Sequence, residues 1–577
     1  MTPPTFDHYY RYAELTGILN DFAARFPTLC RVTSIGQSYE GRDIWCTVLT
    51  NTATGADVDK PALWVDGNIH ATEVSPASCA IYTLNKVLTG YGTEAKITRL
   101  LDTRTLYIVP RMNPDGAELY LGERHRAVRS STRPYPRPEE QDGLYRHDVD
   151  GDGRILTMRV KDPNGPWTSH PTEPRLLVPR EADDAGGDGD EDGRPHYRLL
   201  PEGLIRNFDG VTVKLAPPLE GLDLNRNFPV QWAYESAQRG AGPYPTSEPE
   251  VRSVVQFIID HPNITGAITY HTYAGAYLRP YSFRPDDDFT PEDLWTYREI
   301  GKAATRLTGY PAVSIFHDFK YHPRETTKGA FDDWMFDHLG VYAWTCELWN
   351  PQGQAGISMK KREGEGYQFI DWFRDHPLED DLKLMRWNDE VLAGKGFVNW
   401  YSFQHPQLGE VELGGWDEEY CWNNPPPHLL EKEIAPHADF IIWSALVSPR
   451  LEFGGVKVLP LGGSEVEGAY HILAVVQNTG WLPTAITAHA QEQKLVRPVE
   501  VEISLPEGAT LVSGLPRTEA GQLTGRAMKN HPYDTSDPTT DRAKLEWVVH
   551  APRGSHVTLT ASHPRAGRVR QEVELAG

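Results

Sequence analysis

The segment KPALWVDGNIHATEVSPASCAIYTLNKVLTGYG, residues 60–92, decides the fold prediction. It opens with an apolar run typical of a buried β-strand and turns at Gly67 and Asn68. It then continues as a helix pattern that ends at a glycine. Other strand patterns, such as GRDIWCTVLTN and RTLYIVPRMNPDG, alternate with helix patterns up to about residue 350. We therefore expect an α/β domain with a mixed central sheet flanked by helices.

Two stretches depart from this alternation. Between Arg133 and about Leu219 the chain is dense in Pro, Gly and Asp, which predicts a loop-rich insertion. From about Arg450, short alternating segments such as YHILAVVQNTG and KLEWVVHAP are separated by turns, which predicts a β-sandwich. We expect one domain over residues 1–445, with the insertion at about 133–219, and a β-sandwich accessory domain over 446–577.

Composition excludes some classes of partner. The formal net charge of −23 over 577 residues argues against nucleic-acid binding, which needs clustered Lys and Arg. The most apolar stretch, ADFIIWSALV, is too short to cross a bilayer, so no membrane partner is expected. Five scattered cysteines and an N-terminus without a signal-peptide pattern favour a cytoplasmic protein, although a trimmed secreted chain would look the same.

A possible metal site begins with His70 and Glu73, spaced His-x-x-Glu. This spacing alone is weak evidence, because it occurs six times, starting at His70, His170, His322, His376, His428 and His489. Only His70 follows an apolar strand pattern, leaves it through a turn and precedes a clear helix pattern. Ligands gather at strand ends in α/β sheets, so His70 and Glu73 are the candidate pair.

Other candidate residues end later strand patterns or form one polar segment. His271 ends NITGAITYH and Glu347 ends GVYAWTCEL, although a core histidine and a salt-bridged glutamate remain open readings. Asp223, Asn225 and Arg226 fall together in GLDLNRNF. An amide beside a guanidinium suits a carboxylate ligand, and an ordinary Asx turn is the alternative.

The ordered series GNIHATE, NPDG, RAVR, GLDLNRNF, ITYHTYAG and GAFDDWMFDHLGVYAWTCEL resembles the carboxypeptidase A-type zinc metallocarboxypeptidase family. The resemblance covers roughly residues 60 to 350. It implies that His70, Glu73 and His271 bind one Zn²⁺ per chain. It also implies that Glu347 moves the proton of the attacking water and that Arg129 polarises the scissile carbonyl.

The resemblance further assigns substrate-binding residues. Asn225 and Arg226 would hold the terminal carboxylate of a peptide or acyl-amino-acid substrate, and Asp223 would support a zinc-bound histidine. The family's mobile tyrosine has no match at the ungapped position, and Tyr321 fills that role only if its loop is rearranged. Asp332 falls near the specificity position, where an acid favours a basic C-terminal residue; a solvated Asp332 beside Asp333 is the alternative.

The insertion contains a possible calcium loop. DVDGDGR places Asp148, Asp150 and Asp152 in an alternating acid and glycine pattern, but Arg159 stands where an EF-hand has its glutamate. A solvated acidic turn is the alternative to calcium binding.

The expected activity is removal of C-terminal residues from peptides by metal-activated water. One alternative is a zinc amidohydrolase of acylated amino acids or cell-wall peptides. A catalytically dead binding protein on the same fold is the other.

Overall fold

The computed structural model describes residues 3–122, 126–180, 194–322, 324–360, 367, 369–462, 468–528 and 537–576. The strands are β1 (Cys30–Gln37), β2 (Asp43–Leu49), β3 (Ala62–Gly67), β4 (Thr105–Val109), β5 (Gly143–Arg146), β6 (Thr157–Lys161), β7 (Trp167–Ser169), β8 (Leu177–Pro179), β9 (His196–Pro201), β10 (Gly203–Arg206), β11 (Ile264–Thr272), β12 (Ala276–Arg279), β13 (Ala312–Ser314), β14 (Tyr342–Leu348), β15 (Phe397–His405), β16 (Gly409–Trp416), β17 (Leu451–Pro460), β18 (Ala469–Asn478), β19 (Val499–Ser504), β20 (Thr510–Ser513), β21 (Arg517–Gly521), β22 (Arg542–His550), β23 (His556–His563) and β24 (Gly567–Glu574).

The α-helices are α1 (Tyr12–Arg25), α2 (Ser75–Gly90), α3 (Ala95–Thr103), α4 (Pro114–Leu121), α5 (Pro249–Asp260), α6 (Pro291–Thr308), α7 (Ile315–Asp318), α8 (Phe331–Leu339), α9 (Pro351–Gln354), α10 (Phe369–Arg374), α11 (Leu378–Val391), α12 (Glu418–Cys421), α13 (Pro427–Leu446) and α14 (Ala488–Glu492). In the part of the chain that is described, no helix combines the length and the apolar character needed to cross a bilayer.

The central sheet has eight strands in the order β1-β2-β4-β3-β11-β14-β12-β13. It is mixed, because β3, β4, β11 and β14 pair in parallel while β1, β2 and β12 have antiparallel partners. Strands β3, β11 and β14 are buried along their whole length, which explains their continuous apolar patterns. Helices α2, α13 and α8 pack against these strands. The predicted α/β class with a mixed central sheet is confirmed.

The insertion is more regular than the loop-rich segment that the sequence predicts. Strands β6 to β9 join the later hairpin β15–β16 in a six-stranded sheet of order β15-β16-β6-β9-β7-β8, and β5 pairs with β10. A small apolar core, including Met158 from the insertion and Leu413 from the hairpin, supports this sheet. Strand β6 pairs with β9 inside the insertion, whereas its other partner, β16, lies far downstream, with Glu412 opposite Arg159, where no local pattern shows the pairing. The acidic stretch from Glu181 to Gly193 lies outside the described residues.

The C-terminal segment forms two four-stranded antiparallel sheets, β17-β18-β22-β20 and β21-β19-β23-β24. Apolar residues of both sheets, such as Ile472 and Leu559, share one core. Arg565 is buried at the junction with the α/β part and donates hydrogen bonds to the carbonyl oxygens of Gly340 and Ala485 at 3.1 and 2.9 Å. These contacts fix the sandwich against the end of α8.

Candidate active site

The site lies where β3, β11 and β14 end side by side. His70 and Glu73 lie in the turn between β3 and α2, while His271 is near the end of β11. The side-chain amide of Asn68 donates to the carbonyl oxygen of His70 at 2.7 Å, and Asn68 itself has a positive φ of 58°. This turn directs His70 back over the sheet edge toward His271.

Ligand atoms of three side chains converge on one point. The Nδ1 atoms of His70 and His271 are 3.1 Å apart. His70 Nδ1 lies 2.8 Å from Glu73 Oε1, and His271 Nδ1 lies 3.0 Å from Glu73 Oε2. All three side chains are buried. The structure therefore brings together the two ligands that are close in sequence and the distant third one.

The hydrogen bonds of the two Nε2 atoms, which point away from the cluster, determine the protonation state of the Nδ1 atoms that face it. His70 Nε2 donates to Asp223 Oδ1 at 3.1 Å, since a carboxylate oxygen can only accept. The Thr269 hydroxyl donates to Asp66 Oδ1 at 2.6 Å and lies 3.4 Å from His271 Nε2, from which it can accept. In the neutral rings, both Nδ1 atoms then carry lone pairs. Nitrogen lone pairs and a carboxylate that face one another repel unless a cation lies between them. The two Nδ1 atoms and the Glu73 carboxylate therefore fit a zinc ion.

Two carboxylate groups of the site, those of Glu73 and Asp223, are held ionised. Burial alone would raise the pKa of Glu73, but His70 and His271 lower it well below its usual range. Burial opposes the charge of Asp223 too, while Arg129 and Arg226 lower its pKa strongly. Ionised carboxylates at these two positions suit a metal ligand and the acceptor for a metal-bound imidazole.

Glu347 lies beside His271 in register on the neighbouring parallel strand β14. Burial raises the pKa of Glu347 to about 8, with His271 opposing this change and Glu73 adding to it. A divalent cation nearby would lower that pKa. The Glu347 carboxylate lies beside the cluster of His70, Glu73 and His271 and is not part of it, which suits a proton-transfer group.

Arg129 lies against the same cluster. Its Nε donates to Asp223 Oδ2 at 3.0 Å and its Nη1 to Glu73 Oε1 at 3.3 Å. The side chain keeps 43% of its surface exposed, so its guanidinium faces the cavity as well as the carboxylates.

Asn225 and Arg226 lie in a short turn directly after Asp223. The Asn225 side-chain oxygen accepts from the N–H of Phe331 at 2.8 Å, which leaves its amide nitrogen as the donor. The Arg226 side chain is only 12% exposed, and its Nη2 lies 3.9 Å from Asp223 Oδ2. An amide donor and a guanidinium are thus adjacent to the cluster.

A cavity of about 460 Å³ opens over Glu73, Arg129 and Glu347. Tyr321 lies in its wall although it is 59% exposed, and the Arg374 guanidinium donates to the Tyr321 carbonyl oxygen. Glu325, which stands at the ungapped position of the family's mobile tyrosine, is exposed. The aromatic and aliphatic part of the wall is formed by Tyr273, Phe319, Phe369, Ile370 and Phe373.

Asp332 is buried in the first turn of α8, with 1% of its surface exposed. The solvated alternative for this side chain is therefore wrong. Its Oδ1 accepts from the N–H of Asp333 at 3.0 Å, whereas its Oδ2 has no hydrogen-bond partner among the described residues. Burial raises the pKa of Asp332, and hydrogen bonds from Asp333 and Thr345 oppose this change.

The acidic loop of the insertion gathers only some of its predicted members. Ligand atoms of Asp148, Asp150 and Glu202 lie within 4.8 Å of one another. Asp152 turns away and pairs with Arg154 at 2.6 Å. Glu202 was missed from the sequence because it follows β9, some fifty residues downstream, where no pattern links it to this loop.

The other residues missed from the sequence are Thr269 and Asp66. Trp64 Nε1 donates to Asp66 Oδ2 at 2.5 Å, which completes a chain from His271 through Thr269 to Asp66. The signal was an acid inside the apolar run ALWVDG, since a buried carboxylate needs partners.

The chain is similar to known proteins over its α/β part and matches a family model in its C-terminal part. The family model described as zinc carboxypeptidase (Peptidase_M14) matches residues 15–173 and 194–367, and a domain of unknown function (DUF8731) matches 450–574. The chain is 26% identical over 351 residues to carboxypeptidase A2 of Rattus norvegicus, covering 59% of this chain and 63% of that protein. It is 26% identical over 348 residues to carboxypeptidase B of Astacus astacus, covering 59% of this chain and 86% of that protein.

Among solved structures, carboxypeptidase A from Helicoverpa armigera shows 17% identity and a TM-score of 0.38, covering 68% of this chain and 74% of that chain. Because the family model spans more than half of the sequence, the chain belongs to the zinc carboxypeptidase family. The predicted family is confirmed, and membership implies Zn²⁺.

Proposed function

We propose that this protein is a zinc-dependent metallocarboxypeptidase that removes C-terminal residues from peptides. The observation that carries the proposal is the convergence of His70 Nδ1, His271 Nδ1 and the Glu73 carboxylate, with each outer ring nitrogen near an oxygen that can accept its proton. Such a set of three acceptors binds one Zn²⁺ and leaves a position for water.

Each residue of the site has a role in this reaction. When bound, zinc supplies Lewis acidity that polarises a carbonyl and makes water a better nucleophile. Glu347 accepts a proton from the attacking water and returns it to the leaving amine nitrogen. Arg129 donates to the carbonyl oxygen on which negative charge develops. Asp223 and Thr269 hold the two histidine rings in the required tautomer.

Recognition of the chain end is assigned to Asn225 and Arg226. A guanidinium and an amide together can donate paired hydrogen bonds to a free carboxylate. This pair makes the enzyme an exopeptidase, because an internal peptide bond carries no carboxylate at that position. Tyr321 lies in the cavity wall and would cover the bound substrate.

Asp332 supports a finer proposal, a preference for a C-terminal lysine or arginine. A buried carboxylate oxygen without a partner costs free energy, and a cationic substrate side chain would remove that cost. Wild type should then favour peptides ending in lysine over peptides ending in phenylalanine. Asp332→Asn should lower that ratio of kcat/KM by roughly 10²-fold. Asp337→Asn, a change on the same helix, should leave it unchanged; an unaltered ratio in Asp332→Asn would reject the assignment.

The experiment for the main proposal uses the full chain loaded with zinc. Peptides with a free C-terminus, their C-terminal amides and N-acyl amino acids are compared for release of the last residue. We expect release from the free peptides, none from the amides, and a loss of at least about 10³-fold in Glu347→Gln with zinc retained. Glu250→Gln, a buried change elsewhere, is the control.

The same panel distinguishes the alternatives. Turnover of N-acyl amino acids or cell-wall peptides in place of ordinary peptides would favour the amidohydrolase alternative. Zinc-loaded protein that cleaves no substrate, or equal turnover in wild type and Glu347→Gln, would reject the peptidase proposal.

A calcium ion at Asp148 and Asp150 is a separate, smaller proposal. Its support is the clustering of these carboxylates with Glu202. Calcium should raise the melting temperature of wild type and not that of Asp148→Asn. An equal rise of the melting temperature in both proteins, or no rise in either, would reject the calcium site.

A further inference from the structure

The turn that carries His70 and Glu73 is held by a buried arginine outside the catalytic cluster. Arg111 lies two residues beyond the end of β4, the neighbour of β3 in the central sheet, and only 3% of its surface is exposed. Its Nε donates to the side-chain oxygen of Asn68 at 2.9 Å, and its Nη2 donates to the carbonyl oxygen of Tyr10 at 2.8 Å. Arg111 therefore joins the segment before α1 to the turn after β3.

Arg111 fixes the orientation of the Asn68 amide. A guanidinium can only donate hydrogen bonds, and a carbonyl oxygen can only accept them. The oxygen of the Asn68 amide consequently faces Arg111, while its nitrogen donates to the His70 carbonyl oxygen at 2.7 Å. The same His70 oxygen accepts from the N–H of Glu73 at 3.4 Å, so this one carbonyl group links the two metal ligands of the turn.

The guanidinium of Arg111 is charged as well as buried. Burial lowers the pKa of Arg111 to about 10, and Glu118, whose Oε1 lies 4.0 Å from Arg111 Nη1, opposes this change. A charged donor makes a stronger hydrogen bond than a neutral one, and hydrogen bonds in a chain polarise one another. The charge of Arg111 thus strengthens the bond from Asn68 to His70.

The neighbouring peptide groups of the turn have partners of their own. The Asn113 side-chain nitrogen donates to the carbonyl oxygen of Ile69 at 3.2 Å. The N–H of Ala71 donates to the carbonyl oxygen of Arg129 at 3.0 Å. These bonds hold the chain on either side of the zinc-binding histidine, whose own carbonyl group is held by the amide that Arg111 orients.

We propose that Arg111 is a positioning residue of the zinc site, which acts through the Asn68 amide to hold the turn that carries His70 and Glu73. The proposal rests on the proposed function, because that function assigns the turn to zinc. Arg111 is not among the described residues that line the cavity of about 460 Å³ over the site, so its effect on the site is indirect.

The test measures the zinc affinity of the full chain by competition with a chelator. Arg111→Met and Asn68→Gly should each weaken zinc binding by about tenfold. Methionine fills much of the same space but donates no hydrogen bond, and glycine adopts the positive φ of Asn68 without strain. The double variant should lose no more affinity than the single variant that binds zinc less tightly, because both changes break the same chain of bonds.

Two matched controls separate this effect from a general loss of stability. Arg104, at the opposite end of β4 from Arg111, is 1% exposed and donates to the hydroxyl and carbonyl oxygens of Ser448 at 2.6 and 3.0 Å. Arg104→Met therefore also removes a buried guanidinium. Asn207 has a positive φ of 53° and donates to Asp142 at 2.7 Å, so Asn207→Gly matches the change at the turn. Both controls should bind zinc like wild type.

The outcomes separate this inference from the proposed function. Wild-type zinc affinity in Arg111→Met or in Asn68→Gly would overturn the role of Arg111. Losses that add in the double variant, or an equal loss in Arg104→Met, would also overturn it. If Arg111→Met does not fold, Arg111→Lys replaces it: lysine cannot donate to both oxygens in the geometry of the guanidinium, so zinc affinity should again fall, and wild-type affinity would overturn the proposal. A wild-type chain that binds no zinc would instead reject the proposed function.

Discussion

At the scale of single residues, the site depends on which histidine nitrogen faces the metal. His271 Nε2 lies 3.4 Å from the Thr269 hydroxyl, which donates to Asp66 at 2.6 Å. Burial raises the pKa of Asp66 to about 6, and the hydrogen bonds from Thr269 and Trp64 oppose this change. The orientation of His271 thus rests on a buried polar chain that continues behind the sheet edge.

Thr269→Val should weaken zinc binding while the protein stays folded. Valine keeps the shape of threonine but cannot accept from His271, and loss of such an outer hydrogen bond typically costs 10- to 100-fold in metal affinity. Competition with a chelator measures the change. Thr265→Val is the matched control, because Thr265 is buried on the same strand and its hydroxyl donates to the Ala62 carbonyl oxygen rather than to a group of the site. Equal zinc affinity in the two variants would contradict the role of Thr269.

The sequence patterns predicted the metal-binding and catalytic residues of the site but not all of the residues that support them. His70 follows strand β3 and His271 and Glu347 lie near the ends of β11 and β14, whose apolar runs are visible in the sequence, so their meeting at one sheet edge could be expected. The partners Thr269 and Asp66 lie inside such runs, where only side-chain direction shows that they face the histidine. The burial of Asp332 could not be predicted either, because a sequence pattern does not give the exposure of a single polar residue in a helix.

At the scale of elements, helix α2 has no N-terminal cap of its own. Asn424, far along the chain, accepts from the N–H groups of Val74 and Ser75 at 3.0 Å and donates to the Thr72 carbonyl oxygen at 2.8 Å. These bonds fix the turn that carries Glu73. No local pattern could predict a cap that arrives from a distant segment.

Asn424→Ala should lower the free energy of unfolding by about 2 kcal/mol, because it leaves buried helix N–H groups without an acceptor. Denaturant unfolding measures this change. Asn424→Asp keeps an acceptor and should lose less. If both variants unfolded like wild type, the cap would have no role in holding α2.

Glu250 in the first turn of α5 should make stability depend on pH. Burial raises the pKa of Glu250 to about 7 from 4.5. Between pH 4.5 and about 7 the folded protein keeps a proton that the unfolded chain releases. The resulting contribution to stability is therefore complete below pH 4.5. That contribution, roughly 3 kcal/mol, is lost as the pH rises through about 7.

Glu250→Gln stays neutral, so its free energy of unfolding should fall less between pH 5 and pH 8 than that of wild type. Denaturant unfolding at the two pH values measures the difference. Parallel pH profiles for the two proteins would contradict the raised pKa.

At the scale of the whole molecule, the β-sandwich is joined to the α/β part by buried polar contacts. Arg565 donates to three backbone carbonyl oxygens, those of Leu339, Gly340 and Ala485. Burial lowers the pKa of this guanidinium to about 10, yet it keeps its charge at neutral pH. The patterns of the sandwich strands were visible in the sequence, whereas this junction was not, because it depends on one arginine meeting distant carbonyl groups.

Arg565→Leu should separate the unfolding of the two parts. Loss of the guanidinium leaves buried carbonyl groups unpaired and should cost about 3 kcal/mol. In calorimetry we expect the melting temperature to fall and the sandwich to unfold first. Arg570→Leu, an exposed change in β24, is the control. An unchanged melting profile in Arg565→Leu would show that other contacts hold the sandwich.

The central claim concerns one cation held by residues that are far apart in the chain. An anomalous difference map at the zinc absorption edge, from crystals of the zinc-loaded protein, tests it most directly. The account predicts one strong peak about 2.0–2.2 Å from His70 Nδ1, His271 Nδ1 and the Glu73 carboxylate, with Glu347 outside bonding distance. A folded protein with no peak there, or with its zinc bound elsewhere, would contradict the account.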